Sequence, residues 1–572
     1  MEATPKEGAG RPLYSSAPNS PAGGPSAAGA SRPALPPSGG DAANPAWRPG
    51  PGFLPAALLS YPLVWFYTRW VLFAGTDSCR WSMPAFAVLY LLGVSLLARA
   101  QTRPALRESL FWAVCWLVQC LAIALYGAHD VMWLWQWLAW HATAVYWTMC
   151  RTGMLAAGKS GIWTPLDLLL DVTALPWRDF LLRLRTLFHG AAAGLRRAGS
   201  ASRRRILGVA FSVAVALVLC MFAWNQLAVV DATFAGLFDR LFDWLNWGPL
   251  LDTDVAFYFV LSLPVGAWLF GLAGGGLRRT APPVPDSALQ KALAVLPRLP
   301  GSTGYVVPGA LCAVYTLFFA LQAWEFAAAL GSGALTAAAA SDFAVTGFWE
   351  LCSILLLDFA VLAALELLGG PLRAPGRRRG LLTLFNVYGL AFALLAAAKL
   401  GAYIWLYGPT PRRVLSGWFL AVLTVWCVLA LVWLWRPVPA ARIGVLTLAG
   451  SFALLCCLPV EKICVDENLR RYTAGQIETV DTALMAQCGS AQGRMQEYIT
   501  RRLLDAGWFT GRTADEISEM FYIRFEAYRD AERQDGSGYI RLSDLPGESA
   551  YVQLTFRDGL CAAAVLRTEG AA

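Results

Sequence analysis

The sequence has little charge and little histidine. Charged residues make up 15% of the 572 positions, whereas hydrophobic residues make up 57%. Soluble domains carry about 25% charge, so a chain this poor in charge is expected to have lipid as its solvent. With only 3 histidines, a histidine-rich metal site is not expected. The net charge of +8 does not indicate nucleic-acid binding, because the arginines lie in short loops, where they orient membrane helices.

The chain also lacks residue patterns that carry chemistry. Most of its 13 cysteines lie inside apolar segments and are typical of small buried hydrophobic side chains. No CxxC pair and no cysteine–histidine cluster has the spacing of metal ligands. No catalytic nucleophile stands out beside a base. We therefore expect no enzymatic activity, no metal, no cofactor, and neither nucleotide nor nucleic acid as a partner.

Long apolar segments occupy the chain from Leu54 to Val460. A helix of about 20 apolar residues crosses a bilayer, and it satisfies its own backbone amides there. The sequence predicts about eleven such spans. They are Leu54–Ala74, Met83–Ala98, Glu108–Tyr126, Val131–Cys150, Ile206–Leu227, Val255–Ala273, Val307–Gly331, Val345–Leu368, Leu381–Tyr407, Val414–Trp435 and Arg442–Val460.

This pattern predicts an all-α polytopic membrane protein with five regions. Residues 1–50, rich in proline, glycine and alanine, are expected to be a disordered tail without chemistry. Residues 51–160 contain the first four spans, and 161–205 form a basic cytoplasmic interfacial segment. A seven-helix core follows over 206–460, and 461–572 form a polar region with a small α+β structure.

The distribution of arginine and lysine predicts the orientation. These residues are abundant after the second, fourth, sixth and eighth spans and scarce in most of the alternate loops. By the positive-inside rule the N-terminus is cytoplasmic and the C-terminal region is outside the cytoplasmic membrane. The expected partners are the bilayer and an envelope protein. Asp179–Leu195 inside and Phe234–Trp247 outside have the spacing of amphipathic helices on the membrane surface.

Ionisable residues within spans are costly and are therefore candidate functional residues. Four of them fall at a similar depth in the outer leaflet, counting about 1.5 Å per residue. These four are Arg69, Glu325, Glu350 and Lys399. Because the eighth and ninth spans are consecutive and antiparallel, Glu350 and Lys399 are expected to touch. His141 and Asp358 share a second depth near the membrane centre.

The hairpin Tyr407–Arg413 is expected outside but carries Arg412 and Arg413. Either these side chains extend to lipid headgroups or they pair with buried carboxylates or an anionic ligand. The wider set of buried charges allows three interpretations. The charges fix helix register, they line a polar outer vestibule or substrate path, or they form a proton relay through Asp358 and His141.

The C-terminal region contains signals of a folded domain. Thr513–Glu516 is a capping box expected to open a helix that ends near Arg533. Further on, Tyr551–Phe556 and Leu560–Leu566 flank Asp558-Gly559, a typical hairpin turn.

Two other features of this region are weaker. Cys464 and Cys488 could form a disulfide if both face the outside. Arg533–Asp544 superficially resembles an EF-hand calcium loop, but it has arginine at the first position and aspartate at the last. An ordinary turn from helix to strand is the favoured interpretation.

Several segments resemble one known family. They are Phe318–Phe326, Ser341–Leu351, Tyr403–Arg413, Asp231–Phe234 and Asp466–Tyr472. Over roughly Arg205 to Tyr472 the chain is similar to an uncharacterised bacterial polytopic family, domain of unknown function four-one-seven-three. The resemblance implies a membrane location and a helical fold but no activity.

Two function classes remain. The favoured one is a non-enzymatic envelope or signalling-associated protein, in which the external C-terminal region and the outer polar residues bind a partner. The alternative is a transporter or lipid-handling protein with Glu350, Lys399 and Arg413 around an outward-facing cavity. The sequence shows no inverted repeat of the kind common in transporters, which favours the first class.

Overall fold

The structure is a computed structural model, and it describes a defined part of the chain. The described residues are 49–73, 78–103, 107–129, 132–197, 212, 215–216, 253–279, 282, 284–295, 298–332, 347–369, 372–373, 375–477, 494–521, 536–541 and 548–570. The predicted tail up to Arg48 and the amphipathic segment Phe234–Trp247 lie outside these residues, and so does the predicted span Ile206–Leu227 apart from residues 212 and 215–216.

The first helical group packs around buried aromatic side chains. Its helices are α1 (Phe53–Tyr67), α2 (Cys79–Ala100), α3 (Arg107–Tyr126), α4 (Trp133–Thr152), α5 (Thr164–Arg178), α6 (Leu182–Arg197) and α7 (Thr253–Arg278). One π-helical turn, Thr68–Leu72, extends α1. Trp116 and Trp140 are fully buried, with ring centroids 5.2 Å apart.

The second helical group contains a separate apolar core, which is built mainly by its four long apolar helices. Its helices are α8 (Asp286–Val295), α9 (Thr303–Ser332), α10 (Phe348–Leu368), α11 (Arg377–Tyr407), α12 (Pro411–Trp435), α13 (Ala440–Cys456) and α14 (Val460–Thr473). Phe385 and Phe392 of α11 lie at the centre of this core. Because α13 packs against both α12 and α3, it joins the two groups.

The chain is a multi-pass membrane protein. Among the described residues, seven helices are long and apolar enough to cross a membrane, or eight if the 65° bend between α13 and α14 lies within one span. The seven are α2, α3, α7, α9, α10, α11 and α12. The predicted number of about eleven is not confirmed. The α-helical part of α1 has only 15 residues, and α4 carries polar residues such as Gln136 and Thr143.

The predicted interfacial segment Asp179–Leu195 forms α6 and is more closely packed than expected. Phe188 is 72% exposed, as a lipid-facing side chain would be. Arg183, however, is buried, and its guanidinium lies 3.8 Å from the ring centroid of Tyr61 in α1. The same guanidinium donates to the carbonyl of Leu263 in α7. α6 is therefore bound to the helical bundle by a cationic side chain.

A small α+β domain follows α14. It contains α15 (Arg494–Asp505), α16 (Ala514–Phe521), β1 (Gly536–Arg541), β2 (Glu548–Arg557) and β3 (Leu560–Gly570), and the sheet is antiparallel in the order β1-β2-β3. The capping box is confirmed, because Thr513 and Glu516 each accept the other's backbone N–H, at 3.2 and 2.9 Å. The predicted hairpin is also confirmed, with positive φ at Asp558 and Gly559.

Two other predictions for this domain have different outcomes. Residues 536–541 of the segment that resembles a calcium loop form strand β1 paired with β2, so neither that loop nor the favoured simple turn describes them. A ladder of backbone hydrogen bonds keeps this segment extended, whereas a calcium loop must wrap around its ion. Cys464 is buried as a free thiol, and Cys488 lies outside the described residues.

Candidate functional site

Of the four residues predicted at one outer depth, the three whose side chains the structure describes have different surroundings. Lys399 is buried, whereas Glu350 lies exposed at the start of α10, and the expected contact between them is not formed. Arg69 lies against aromatic rings, 4.6 Å from the centroid of Trp70 and 4.9 Å from that of Tyr258. The side chain of Glu325 lies outside what the structure describes.

The hairpin between α11 and α12 uses its arginine internally. Gly408 ends α11 with φ 75°, and Thr410 caps α12 by accepting the backbone N–H of Arg413 at 3.3 Å. The Arg413 guanidinium turns back to donate to the carbonyls of Tyr407, at 3.1 Å, and of Gly408. Arg412 is exposed. Because the Arg413 guanidinium donates to backbone carbonyls at the end of α11, its hydrogen bonds stabilise the hairpin itself.

The two mid-membrane residues belong to different cores. His141 makes a 2.8 Å hydrogen bond from Nδ1 to the carbonyl of Trp137 and packs against Trp137 at a centroid distance of 4.1 Å. Asp358 lies in the second group, where its Oδ1 accepts the Tyr315 hydroxyl at 2.7 Å. The structure therefore does not bring them together as a relay.

A buried histidine–carboxylate pair lies at the bend between α13 and α14. His129, in the loop after α3, is 3% exposed, and Glu461, in the first turn of α14, is 7% exposed. His129 Nδ1 lies 3.0 Å from a carboxylate oxygen of Glu461. Its Nε2 lies 2.9 Å from the backbone carbonyl of Cys456, the last residue of α13. The imidazole therefore links both sides of the bend to the α3–α4 loop.

The partners of His129 define its protonation. With Glu461 ionised, its carboxylate and the carbonyl oxygen of Cys456 are both acceptors, so both ring nitrogens carry a hydrogen. The ring is then an imidazolium paired with an anion. Cys456 also lies at the C-terminal end of α13, where the helix dipole favours a cation. Charge and hydrogen bonding therefore support the same geometry.

Helix α14 belongs to two cores at once. Val460 and Cys464 are buried against the membrane bundle, together with Phe452 of α13. Val465 and Leu469 are buried in the core of the C-terminal domain. This helix is therefore packed between the bundle and the domain, and neither core is complete without it.

Polar contacts fasten both faces of α14. Asn468 donates to the carbonyl of Pro409 in the hairpin at 2.9 Å. Toward the domain, Asp466 accepts the Tyr498 hydroxyl at 2.8 Å and Arg502 Nε at 2.7 Å. Burial, together with the neighbouring Asp466 carboxylate, raises the pKa of Tyr498. Tyr498 therefore stays a hydrogen-bond donor throughout the neutral range.

A second polar cluster lies at the opposite end of the bundle. Glu108 at the start of α3 accepts Arg442 Nη2 at 2.6 Å and the backbone N–H of Ser160 at 3.0 Å. Asp167 of α5 accepts the N–H of Ala156 at 3.0 Å. These two carboxylates fasten the loop between α4 and α5.

The same loop carries a spacing that the sequence analysis missed. Gly153, Gly158, Lys159 and Ser160 follow the pattern G-x-x-x-x-G-K-S of phosphate-binding loops. Such loops connect a strand to a helix, whereas this one follows helix α4. In this loop, Glu108 and Asp167 accept hydrogen bonds from backbone N–H groups. In a phosphate-binding loop, such N–H groups would donate to the phosphate instead.

Asp167 gives this cluster a predicted pH dependence. Burial raises its pKa from 3.8 to about 6, although the Ala156 N–H acts in the opposite direction. Because the pKa of Asp167 is higher in the folded state, its contribution to the stability of the fold is fully present below the unfolded pKa of 3.8. That contribution is lost as the pH rises through about 6.

We expect Asp167→Asn, which keeps the oxygen that accepts from Ala156, to abolish that loss. Thermal unfolding at pH 4 and pH 7 should show the variant gaining up to about 3 kcal/mol over wild type at the higher pH. Equal pH dependence in the two proteins would contradict the assignment.

An ion-pair cluster binds α5 and α6 to the end of α7. Asp179, between α5 and α6, is 4% exposed. It accepts Arg278 Nη1 at 3.0 Å and Arg279 Nη2 at 2.7 Å. Gly275 lies directly beneath it, since a Cβ at that position would be 2.8 Å from the carboxylate. This close approach explains how one carboxylate reaches two consecutive arginines.

These clusters combine residues that are distant in sequence, which explains why sequence reasoning missed them. His129 is separated from Glu461 by 332 residues, and Glu108 from Arg442 by 334. The available signals were weak: a histidine in a chain with 3, and a Leu458-Pro459 break just before an acidic residue. Neither signal identifies the residue with which the histidine or the acidic residue pairs.

Comparison with known proteins identifies one family. The family described as Domain of unknown function (DUF4153) matches residues 86–493, which is more than half of the chain. The number four-one-seven-three inferred from the motifs was wrong, and the match begins well before Arg205. No curated protein and no solved structure matches the chain. The chain belongs to the DUF4153 family, a family of unknown function.

Proposed function

We propose that this protein is a non-enzymatic envelope protein that couples partner binding by its external C-terminal domain to its membrane bundle. The proposal rests on the position of α14. This helix contributes Val460 and Cys464 to the core of the membrane bundle, and Val465 and Leu469 to the core of the C-terminal domain. A helix shared by two cores transmits displacement, because neither core can move without repacking the other.

We propose eleven crossings, with the C-terminal domain outside the cytoplasmic membrane. One end of the bundle is rich in arginine. Arg103 after α2 donates to the carbonyl of Arg279 after α7, and Arg151 at the end of α4 donates to the carbonyl of Arg103. The positive-inside rule makes this end cytoplasmic.

The flanks of residues 198–252 support the predicted span Ile206–Leu227. Gly190 of α6 lies against Leu54 at the start of α1, whereas Tyr258 at the start of α7 contacts Arg69 in the π-helical turn that follows α1. These flanks are therefore at opposite ends of the bundle, which an odd number of crossings between them would explain.

Surface labelling tests this topology. Arg557→Cys lies on the exposed surface of β2, and Lys159→Cys lies on the exposed α4–α5 loop. We expect a membrane-impermeant maleimide to label the first variant in intact cells and the second only after permeabilisation. The reverse pattern, or labelling of both variants in intact cells, would overturn the proposed topology.

Hydrogen exchange tests the coupling. Asp466→Ala removes contacts only to the C-terminal domain, so we expect faster exchange there and also across the α13–α14 bend and the start of α12. The control Glu497→Ala breaks a half-buried pair within α15, in which Glu497 lies 2.8 Å from Arg501, and should affect only its own helix. Changes confined to residues 494–570 in Asp466→Ala would contradict coupling through α14.

The transporter or lipid-handling alternative has less support. It requires Glu350, Lys399 and Arg413 to line one outward-facing cavity. Arg413 donates to backbone carbonyls of its own hairpin, and Glu350 does not contact Lys399. The residues on which the alternative depends therefore have separate surroundings.

A further inference from the structure

Asp358 is a buried carboxylic acid at the centre of the second helical group. It lies in α10 and is 5% exposed. Tyr315 of α9, Gly389 of α11 and Cys427 of α12 surround it. Three helices besides its own therefore meet around this side chain. A carboxyl group in the middle of an apolar helix is costly and seldom has a purely structural role.

The two carboxyl oxygens of Asp358 have different surroundings. Oδ1 accepts the hydroxyl of Tyr315 at 2.7 Å. Oδ2 is buried and has no hydrogen-bond partner among the described residues. Within that part of the chain, no arginine, lysine or histidine lies within ion-pair distance of either oxygen. The carboxyl group is thus held by one neutral donor.

The energetics favour a neutral acid. An unpaired ion costs several kcal/mol to bury even after relaxation, and the usual response of a buried group is to neutralise. Asp358 would neutralise by keeping a proton. Its other titratable neighbours, Cys312 of α9, Cys427 of α12, Tyr315 and Tyr388 of α11, supply no positive charge.

We propose that Asp358 and Tyr315 form a proton-binding site inside the membrane bundle, with the proton carried on Oδ2 of Asp358. Tyr315 orients the carboxyl group through Oδ1 and leaves Oδ2 as the protonated atom. Gly389 of α11 lies beside that atom, since a Cβ there would be in ordinary van der Waals contact with Oδ2, at 3.5 Å, and with Cys427 Sγ, at 3.8 Å.

The composition of the site favours a proton over a metal ion. Hard cations such as sodium, magnesium or calcium need several oxygen ligands. Here Oδ2 has no hydrogen-bond partner among the described residues, and the other atoms nearest to a Cβ at Gly389 are the thiol of Cys427 and a methyl carbon of Leu355. No group of three or more potential metal ligands occurs among the described residues.

Carbodiimide labelling tests the proposal on the unmodified protein. Dicyclohexylcarbodiimide enters membranes and reacts with protonated carboxyl groups. In full-length protein in lipid nanodiscs at pH 7, we expect the adduct at Asp358 to exceed that at exposed Glu350 of the same helix by more than about tenfold, since an ordinary glutamate is almost fully ionised at that pH. Equal or lower labelling at Asp358 would overturn the proposal.

Infrared spectroscopy provides the second measurement. The wild-type spectrum should contain a protonated-carboxyl C=O band that is lost in Asp358→Asn and shifted in Tyr315→Phe, but unchanged in the matched control Glu350→Gln. A band unaffected by Asp358→Asn would overturn the proposal. If 100-fold more sodium removed the band and the labelling together, the site would bind a metal cation instead.

Discussion

Replacing His129 with leucine is expected to lower the free energy of unfolding by about 3–5 kcal/mol, because it leaves the buried Glu461 carboxylate without its cationic partner. The variant also loses the hydrogen bond to the carbonyl of Cys456, which joins α13 to the α3–α4 loop. Reversible denaturant unfolding in detergent micelles measures the loss.

A double-mutant cycle separates the ion pair from simple packing. Glu461→Leu alone should also be destabilising, because it leaves an imidazolium buried. The double variant His129→Leu/Glu461→Leu should recover much of the loss, since an apolar pair of similar volume often replaces a buried ion pair at little cost. The control Arg501→Ala, which breaks a pair between neighbouring turns of α15 at the protein surface, should change stability by about 0.5 kcal/mol. Additive effects of His129→Leu and Glu461→Leu would contradict a coupled pair.

The second large effect is expected at Asp179. Asp179→Ala removes the carboxylate that holds Arg278 and Arg279, leaving two adjacent like charges at the end of α7. We expect a loss of about 2–4 kcal/mol in stability, together with faster hydrogen exchange across α6. Thr173→Ala, an exposed change in the neighbouring α5, is the matched control.

The variant Asp179→Asn refines this prediction. It keeps an acceptor oxygen but loses the charge, so its loss should be about half that of the alanine variant. Unchanged exchange in α6 for both variants would mean that packing of Leu182 and Thr186, which are buried in the same helix, holds α6 without the ion pairs.

Local sequence signals were sufficient wherever the structure depends on neighbours in the chain. The capping box at Thr513 and the turn at Asp558-Gly559 were predicted because their hydrogen bonds and dihedral angles involve residues within a few positions. The same reasoning failed for β1, where glycines and polar residues form an edge strand. Pairing with β2 determines that strand, and pairing is not a local property.

The buried charges illustrate a different limit. Depth along a helix is readable from sequence, and it predicts Lys399 and Glu350 at the same level, whereas burial in the protein separates them: Lys399 is buried. Depth does not show, however, in which direction around the helix axis a side chain points, and Glu350 lies on the exposed side of α10. Because side chains on a helix turn by about 100° per residue, two residues at equal depth meet only if both helices present those faces to each other.

The sequence by itself determined that this is a membrane protein and where its apolar helices lie, since hydrophobicity and length are sums over local residues. Only the tertiary structure decided that His129 binds Glu461, that Glu108 binds Arg442 and that α14 serves two cores. Those contacts join elements hundreds of residues apart. They depend on how helices pack and rotate, which no local pattern specifies.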